Sequence, residues 1–280
     1  MTPRPMIMWI DGALVPLADA RISPLDHGLT VGDGVFETLR AYDGVPFAWR
    51  RHLARLQASA AGLGLMVPDP EGLRAAADDV LEANGLRDAR VRVTVTGGPA
   101  SPGSSRSAGA APVAFVVATA IEPGATTADV VVAPWTRNER GATAGLKTIS
   151  YAANVRALGY AESRNAGEAI FANTQGNLCE ATGSNVFLVR AGRLLTPPAS
   201  AGCLLGVTRG LLLELCDDCD ETDVPIAALA AADEAFLSST TREVQPIAHV
   251  DGGALPAAPG PFATRLSRAF RDLVARDLDP

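Results

Sequence analysis

The sequence predicts a mixed α/β chain, α+β in the order of its elements, with a smaller α/β N-terminal domain ahead of a larger strand-rich C-terminal domain. Two hairpin signals near the start, two amphipathic helical stretches after them and a run of short strands in the second half lead to this reading. MIMWI-DG-ALVP and VFETLRAY-DG-VPFAW each place Asp-Gly between apolar runs, the strongest short-range signal for a two-residue turn. From Trp49 to Leu63, apolar residues at Leu53, Leu56, Ala60 and Leu63 recur at helical spacing, and Pro70 opens a second helix that runs towards Asn84-Gly85. VRVTVTG and VAFVVATA read as strands. Between them Gly97 to Pro112 is too rich in Gly, Ser and Pro for regular structure. IEPGATTAD, residues 121–129, reads as a connection between domains 1–120 and 130–280, and a helix is expected near Ala152 to Asn165.

Composition narrows the function. Hydrophobic residues make up 48% of the 280, enough for a substantial core. A net charge of −7, with acidic and basic residues interspersed, offers no basic stripe, which argues against nucleic acid and for small molecules as partners. The apolar run before Asp11 is too short for a signal-peptide core, and no segment approaches the roughly 18 apolar residues of a membrane span, so a cytoplasmic protein without a membrane partner is expected. Cys216 and Cys219 form a CxxC, but with no His nearby to complete a metal set. No metal is expected.

Of the 24 Lys and Arg residues, all but Lys147 are Arg. Chance in an Arg-rich chain accounts for this; so does a position that needs an amine able to lose its proton and attack a carbonyl, which guanidinium cannot do. Two other stretches suit an anion. In LLGVTRGLLLEL, Gly206-Val207-Thr208 precede an amphipathic helix, so that backbone N–H groups and the Thr208 hydroxyl would face whatever sits there, although Thr208 could equally be an N-cap. In FLSSTTREVQP, Ser238 to Thr241 place four hydroxyls in succession at a strand end. Glu180 closes a strand before a Gly-containing turn, the usual place for a solvated Glu.

Taken in order, GDGVFETLR, HLARL, LKTISYAANV, EAIFANTQGNLCEATGSNVFLV, LLGVTRG and SSTTREVQPI resemble the fold-type IV enzymes that use pyridoxal 5'-phosphate (PLP). That family includes branched-chain aminotransferases, D-amino acid aminotransferases and 4-amino-4-deoxychorismate lyases, and the resemblance covers nearly the whole chain. It implies a two-domain fold with a pseudo-barrel C-terminal domain, a homodimer, and PLP held between the domains.

Residue by residue, the resemblance makes Lys147 the Schiff-base lysine that moves protons between substrate and cofactor. Glu180 becomes the carboxylate facing the ring nitrogen. Arg55 of HLARL is the phosphate-binding arginine, joined by Val207, Thr208, Ser239 and Thr240. Arg140 and Glu168 match a pair beside the cofactor's phenolic oxygen, and Phe36 lines the substrate pocket. The departures concern that oxygen and the substrate. Branched-chain enzymes carry a tyrosine five residues after the lysine, where this chain has Ala152 after Tyr151. The Arg-x-His pair with which D-amino acid aminotransferases hold the substrate carboxylate is absent from TGGPASPGSSR, which leaves Arg106, Arg40, Arg242 and the backbone near Thr241 as candidates. WTRNERGATAGLK is similar to the Arg-Asn stretch of the lyases. The function expected is transamination between a D-amino acid or (R)-amine and a 2-oxo acid; the alternative is 4-amino-4-deoxychorismate lyase, which releases pyruvate.

Overall fold

The computed structural model describes residues 5–107 and 109–280, so Ala108, in the expected Gly97–Pro112 loop, and residues 1–4 of the N-terminal stretch lie outside the described residues. Its contacts divide the chain into two compact units. One comprises Met1–Glu122, Leu146–Tyr151 and Asp277–Pro280; the other comprises Pro123–Gly145 and Ala152–Arg276.

The first unit is a six-stranded antiparallel sheet carrying two long helices. β1 (Ile7–Ile10) and β2 (Ala13–Pro16) form the first expected hairpin, whose turn residues Asp11 and Gly12 take φ 44° and 95°. Positive φ at both positions is what an Asp-Gly I′ turn requires. A short helix α1 (His27–Val31), capped by the Asp26 carboxylate, leads into β3 (Gly34–Tyr42) and β4 (Val45–Pro46), the second hairpin. α2 (Trp49–Leu63) and α3 (Pro70–Asn84) follow as expected, then β5 (Ala89–Thr96) and β6 (Val113–Ala120), in the sheet order β2-β1-β6-β5-β3-β4.

Alternation along β3 and β5 sorts side chains to two faces. Val35 and Leu39 pack with Val91, Val93 and Val95, and with Leu56 and Leu73 of the helices, into one core. Phe36 lies opposite Thr94, and Thr38 opposite Arg92, on the other face.

The second unit is built on a nine-stranded sheet. Its strands are β7 (Ala128–Val132), β8 (Glu168–Ala172), β9 (Leu178–Ala181), β10 (Asn185–Arg190), β11 (Arg193–Thr196), β12 (Cys219–Glu221), β13 (Glu234–Ser239), β14 (Glu243–Val250) and β15 (Gly253–Ala254). The order is β12-β11-β10-β13-β14-β7-β8-β9, with β15 on β14. Pairings are parallel at β11–β12, β14–β7 and β7–β8, and antiparallel elsewhere. Three helices belong to it: α4 (Ala152–Glu162), α5 (Val207–Glu214) and α6 (Pro261–Arg276).

Val186, Leu188, Ala235 and Leu237 of β10 and β13 join the main core with Ile170, Leu178, Leu229 and Ile247. The residues between them face the other way: Phe187 and Phe236, both fully buried, stack with centroids 4.9 Å apart, and Asn185 lies opposite Ser238. Among the described residues no helix is long and apolar enough to cross a membrane. Because Phe236 fills a closed site, Phe236→Ala should lower unfolding free energy by roughly 3–5 kcal/mol in urea titrations. A loss below about 1 kcal/mol, far outside the range of a buried aromatic deletion, would contradict this packing.

Candidate active site

Lys147 is positioned by the backbone around it. β4 is two residues long and pairs only with Ala41 and Tyr42, which leaves the start of β3 with an open edge. Residues 146–151 pair there: Phe36 N–H donates to the Lys147 carbonyl at 3.1 Å, Ile149 N–H to the Gly34 carbonyl at 2.9 Å, and Val35 bridges Thr148. Lys147 N–H in turn donates to Ser59 Oγ of α2 at 3.0 Å. The side chain is half-buried, its Nζ 4.5 Å from the centroid of the Phe36 ring.

Phe36 also meets Tyr151 edge-on at 5.1 Å and carries the Arg92 guanidinium 3.7 Å over its face. Arg92 is half-buried; its Nε donates to Thr94 Oγ1 at 3.3 Å, and it makes no ion pair with a carboxylate among the described residues. Burial draws its pKa down from the ordinary arginine value, with Tyr151 pulling the other way.

On the helix-covered face, Arg55 presents one edge to Glu37, Nε to Oε1 at 2.7 Å and Nη2 to Oε2 at 2.8 Å. His52 Nδ1 lies 2.7 Å from Glu37 Oε2. Glu37 is 1% exposed. Burial alone would raise its pKa, but the Arg55 and His52 beside it hold the carboxyl well below the usual range. His52 is pushed down, first by burial, with Arg55 and Lys147 adding to it against Glu37. A neutral His52 therefore donates to an ionised Glu37.

In the second unit the Glu180 carboxylate, on β9, accepts Leu204 N–H at Oε2 (2.9 Å), and Arg137 Nε lies 3.2 Å from Oε1. Two residues beyond Leu204 the chain enters α5 at Gly206, which has no side-chain cap, so the first amides of the helix, including those of Val207 and Thr208, are uncapped by any side chain. Asn185 holds this corner: its Nδ2 donates to the Leu204 carbonyl at 2.7 Å, and a Cβ on Gly206 would run into its Oδ1. Thr208 is buried, while Ser239, Thr240 and Thr241 are half-buried at the β13–β14 turn, where Ser239 Oγ accepts Arg242 N–H. Ser238 Oγ, on the same sheet face as Asn185, is buried without a partner. An uncapped helix start, an orphaned hydroxyl and a fixed carboxylate are a donor set that fits a phosphorylated pyridine.

Four of the residues expected at the site have other partners in this structure. Arg106 was a candidate carboxylate anchor, but Nε and Nη2 both bond Asp33 at 2.6 Å, while Nη1 and Nη2 donate to the Gly64 and Leu63 carbonyls; its donors are used to fasten the loop to the end of α2. Arg40, expected in the substrate pocket, pairs with Asp88 through two bonds of 2.8 and 2.9 Å. Arg242 bonds Gln245 and Glu168. Glu168 is thus partnered by Arg242 and Thr182 instead of Arg140, whose residue is exposed beyond a turn closed by Asn138. Two arginines that were not singled out, Arg92 and Arg137, lie beside Phe36 and Glu180. Both stand in stretches quoted above, and the alternation of VRVTVT already put Arg92 on the face away from the valines. The four cysteines are free; Cys203 is pushed up to about 11, chiefly by burial.

The chain matches the family described as amino-transferase class IV over residues 34–250. It is 32% identical over 281 residues to a putative branched-chain-amino-acid aminotransferase of Methanocaldococcus jannaschii, covering 96% of each chain. This chain belongs to the class IV aminotransferases. It is a PLP-dependent enzyme with the fold-type IV architecture, its C-terminal sheet a curled half-barrel. A D-alanine aminotransferase of Listeria innocua is 31% identical over 288 residues, covering 97% of each. Among solved structures, the branched-chain aminotransferase of the thermophilic archaeon Thermoproteus uzoniensis, with norvaline, superposes with a TM-score of 0.89 at 31% identity, covering 97% of this chain and 95% of that one.

Removing one partner of the buried Glu37–Arg55 pair leaves the other uncompensated. Glu37→Gln should cost the aminotransferase roughly 3–5 kcal/mol at neutral pH. Because the folded pKa of Glu37 is depressed, its contribution is complete above the unfolded value of about 4.3 and fades as pH falls below it. Urea midpoints of the variant should therefore fall less steeply than wild type from about pH 5 to pH 3. Parallel pH curves would contradict the ionised pair.

Proposed function

We propose that this aminotransferase moves the amino group of a D-amino acid to a 2-oxo acid, with Arg92 as the anchor of the substrate carboxylate. The observation that carries this reading is Arg92 itself: a half-buried guanidinium beside Phe36, without an acidic partner among the described residues, on the same ring that Lys147 approaches. A buried cation lacking an internal counter-charge is completed by an anion, and a planar fork suits a carboxylate. The similarity to D-alanine aminotransferases, together with the EAIF segment at Glu168 to Phe171, supports the D configuration. An anchored carboxylate places amino acids ahead of simple (R)-amines. Branched-chain L-amino acids and aminodeoxychorismate are the competing substrates.

Bound PLP supplies an electron sink for the pair left when the substrate Cα loses its proton. Lys147 takes that proton and returns it on the other side of the transfer. Glu180 holds a proton on the ring nitrogen, Val207, Thr208, Ser239, Thr240 and Arg55 bind the phosphate, and Phe36 bounds the substrate pocket.

The reading includes a homodimer. Leu17, Ile22, Leu25, Leu29 and Val31 are all more than 40% exposed within one short segment, a concentration of apolar surface that a second copy of the chain would cover. A monomer at micromolar concentration in sedimentation would reject it.

The substrate test compares D-alanine, L-leucine and (R)-1-phenylethylamine, each with 2-oxoglutarate, and aminodeoxychorismate alone. D-alanine should give the highest kcat/KM. Arg92→Gln should lower kcat/KM for D-alanine by about ten- to a hundredfold, the worth of one charge-assisted contact, and leave the amine nearly unchanged. Equal losses for both donors would reject Arg92 as the anchor. Preference for L-leucine would reject the D configuration, and turnover of aminodeoxychorismate alone would establish the lyase instead.

A further inference from the structure

Behind Glu180 lies a polar chain that the roles above do not use. Arg137 is pinned through its backbone, its N–H donating to the Ala172 carbonyl at 2.8 Å and its strand segment bridging Asn173. Its guanidinium carbon lies over Phe171, 4.3 Å from the ring centroid. Phe171 pairs directly with Glu180 across β8 and β9, so the two side chains share a sheet face and the stacked guanidinium is delivered to the carboxylate.

Arg137 Nε stands 3.2 Å from Glu180 Oε1, buried and out of line for a hydrogen bond: the contact is one of charge. Nη1 bonds Asn154 Oδ1 at 3.2 Å, and Asn154, buried in the first turn of α4, donates its Nδ2 to the Thr182 carbonyl. Thr182 then donates both its N–H and its hydroxyl to Glu168 Oε1, and Glu168 meets Arg242.

We propose that Arg137 is a positioning residue for the cofactor's ring nitrogen, acting through Glu180. The proposal rests on the reading of Glu180 given above. The Leu204 amide holds one carboxylate oxygen by a hydrogen bond and the Arg137 charge draws on the other, so the carboxylate is held from both sides. A guanidinium does this where an ammonium would not, because its planar fork serves Glu180 and Asn154 together while its face stays on Phe171. Its permanent charge also lies against Glu180, the acceptor assigned to the ring nitrogen. Without Arg137 the carboxylate turns, and the proton on the ring nitrogen is held less firmly.

The experiment loads the full chain with PLP labelled with 15N in the ring and records the nitrogen shift for wild type, Glu180→Gln, Arg137→Met and Asn154→Ala. Arg137→Met should move the shift in the same direction as Glu180→Gln, towards an unprotonated ring, by a smaller amount. PLP affinity of the apoprotein should stay within about threefold of wild type, since no phosphate contact is touched, while the rate of Cα proton exchange falls at least about tenfold. Asn154→Ala should follow in direction with a smaller change, and it carries the test alone if Arg137→Met does not fold. A wild-type shift in Arg137→Met, or in Asn154→Ala where that stands alone, alongside a moved shift in Glu180→Gln, overturns the proposal and leaves the Glu180 reading intact. So does a shift towards a more fully protonated ring, which would make Arg137 a competitor for the carboxylate. A wild-type shift in Glu180→Gln removes the Glu180 reading and this proposal with it.

Discussion

The position of the only lysine depends on an unfilled sheet edge. β4 covers just the end of β3, and the amide of Phe36 and the carbonyl of Gly34 left open there bond residues 147–149 through an isolated bridge. An unpaired backbone edge is costly when buried, so this pairing satisfies the sheet and fixes Lys147 at the same time. Gly34 permits it: a side chain there would press on Ile149 and on the Val95 carbonyl. The segment takes its flanks from the second unit and its hydrogen bonds from the first. The place of Lys147 therefore follows from main-chain geometry, and the role proposed for it from its amine.

Partner accounting then separates arginines that composition treats alike. Arg106 has an acidic partner and two carbonyls, so its work is to fasten a Gly- and Ser-rich loop. Arg55 is bound edge-on to a buried glutamate, which orients it and offsets its charge. Arg137 divides its fork between Glu180 and Asn154. Arg92 has a hydroxyl and an aromatic face, neither of which balances its charge. Burial of an ion is stable only when something completes it, and for Arg92 the proposed carboxylate-bearing substrate supplies the missing half.

Much of the fold was legible because local chemistry decided it. Asp-Gly turns set both hairpins, Pro70 and Gly85 mark the ends of α3, and the expected helical stretch from Trp49 to Leu63 has the bounds of α2, with Leu56 and Ala60 of the expected stripe buried beside Trp49, His52 and Ser59. α6 was equally readable, with Ala263, Leu266, Phe270 and Leu273 at helical spacing, yet it carries no motif and drew no expectation. The expected connection at 121–129 runs into β7, which starts at Ala128, because a parallel partner on β14 rather than local propensity decides where that strand begins. Motif order singles out residue types for the site, as for Lys147. Cross-strand register and side-chain partners are not written in motif order, and for that reason the partners of Arg40, Arg106 and Arg140, and the surroundings of Arg92 and Arg137, emerge only in the structure.

In the proposed function Lys147 is the residue that carries PLP. Reducing the PLP-loaded aminotransferase with borohydride, digesting it and locating the pyridoxyl group by mass spectrometry tests this most directly. The pyridoxyl group should be found on the peptide spanning Lys147 and nowhere else, with none recovered from Lys147→Arg. Label on another residue, or undiminished labelling of Lys147→Arg, would contradict the assignment of this site.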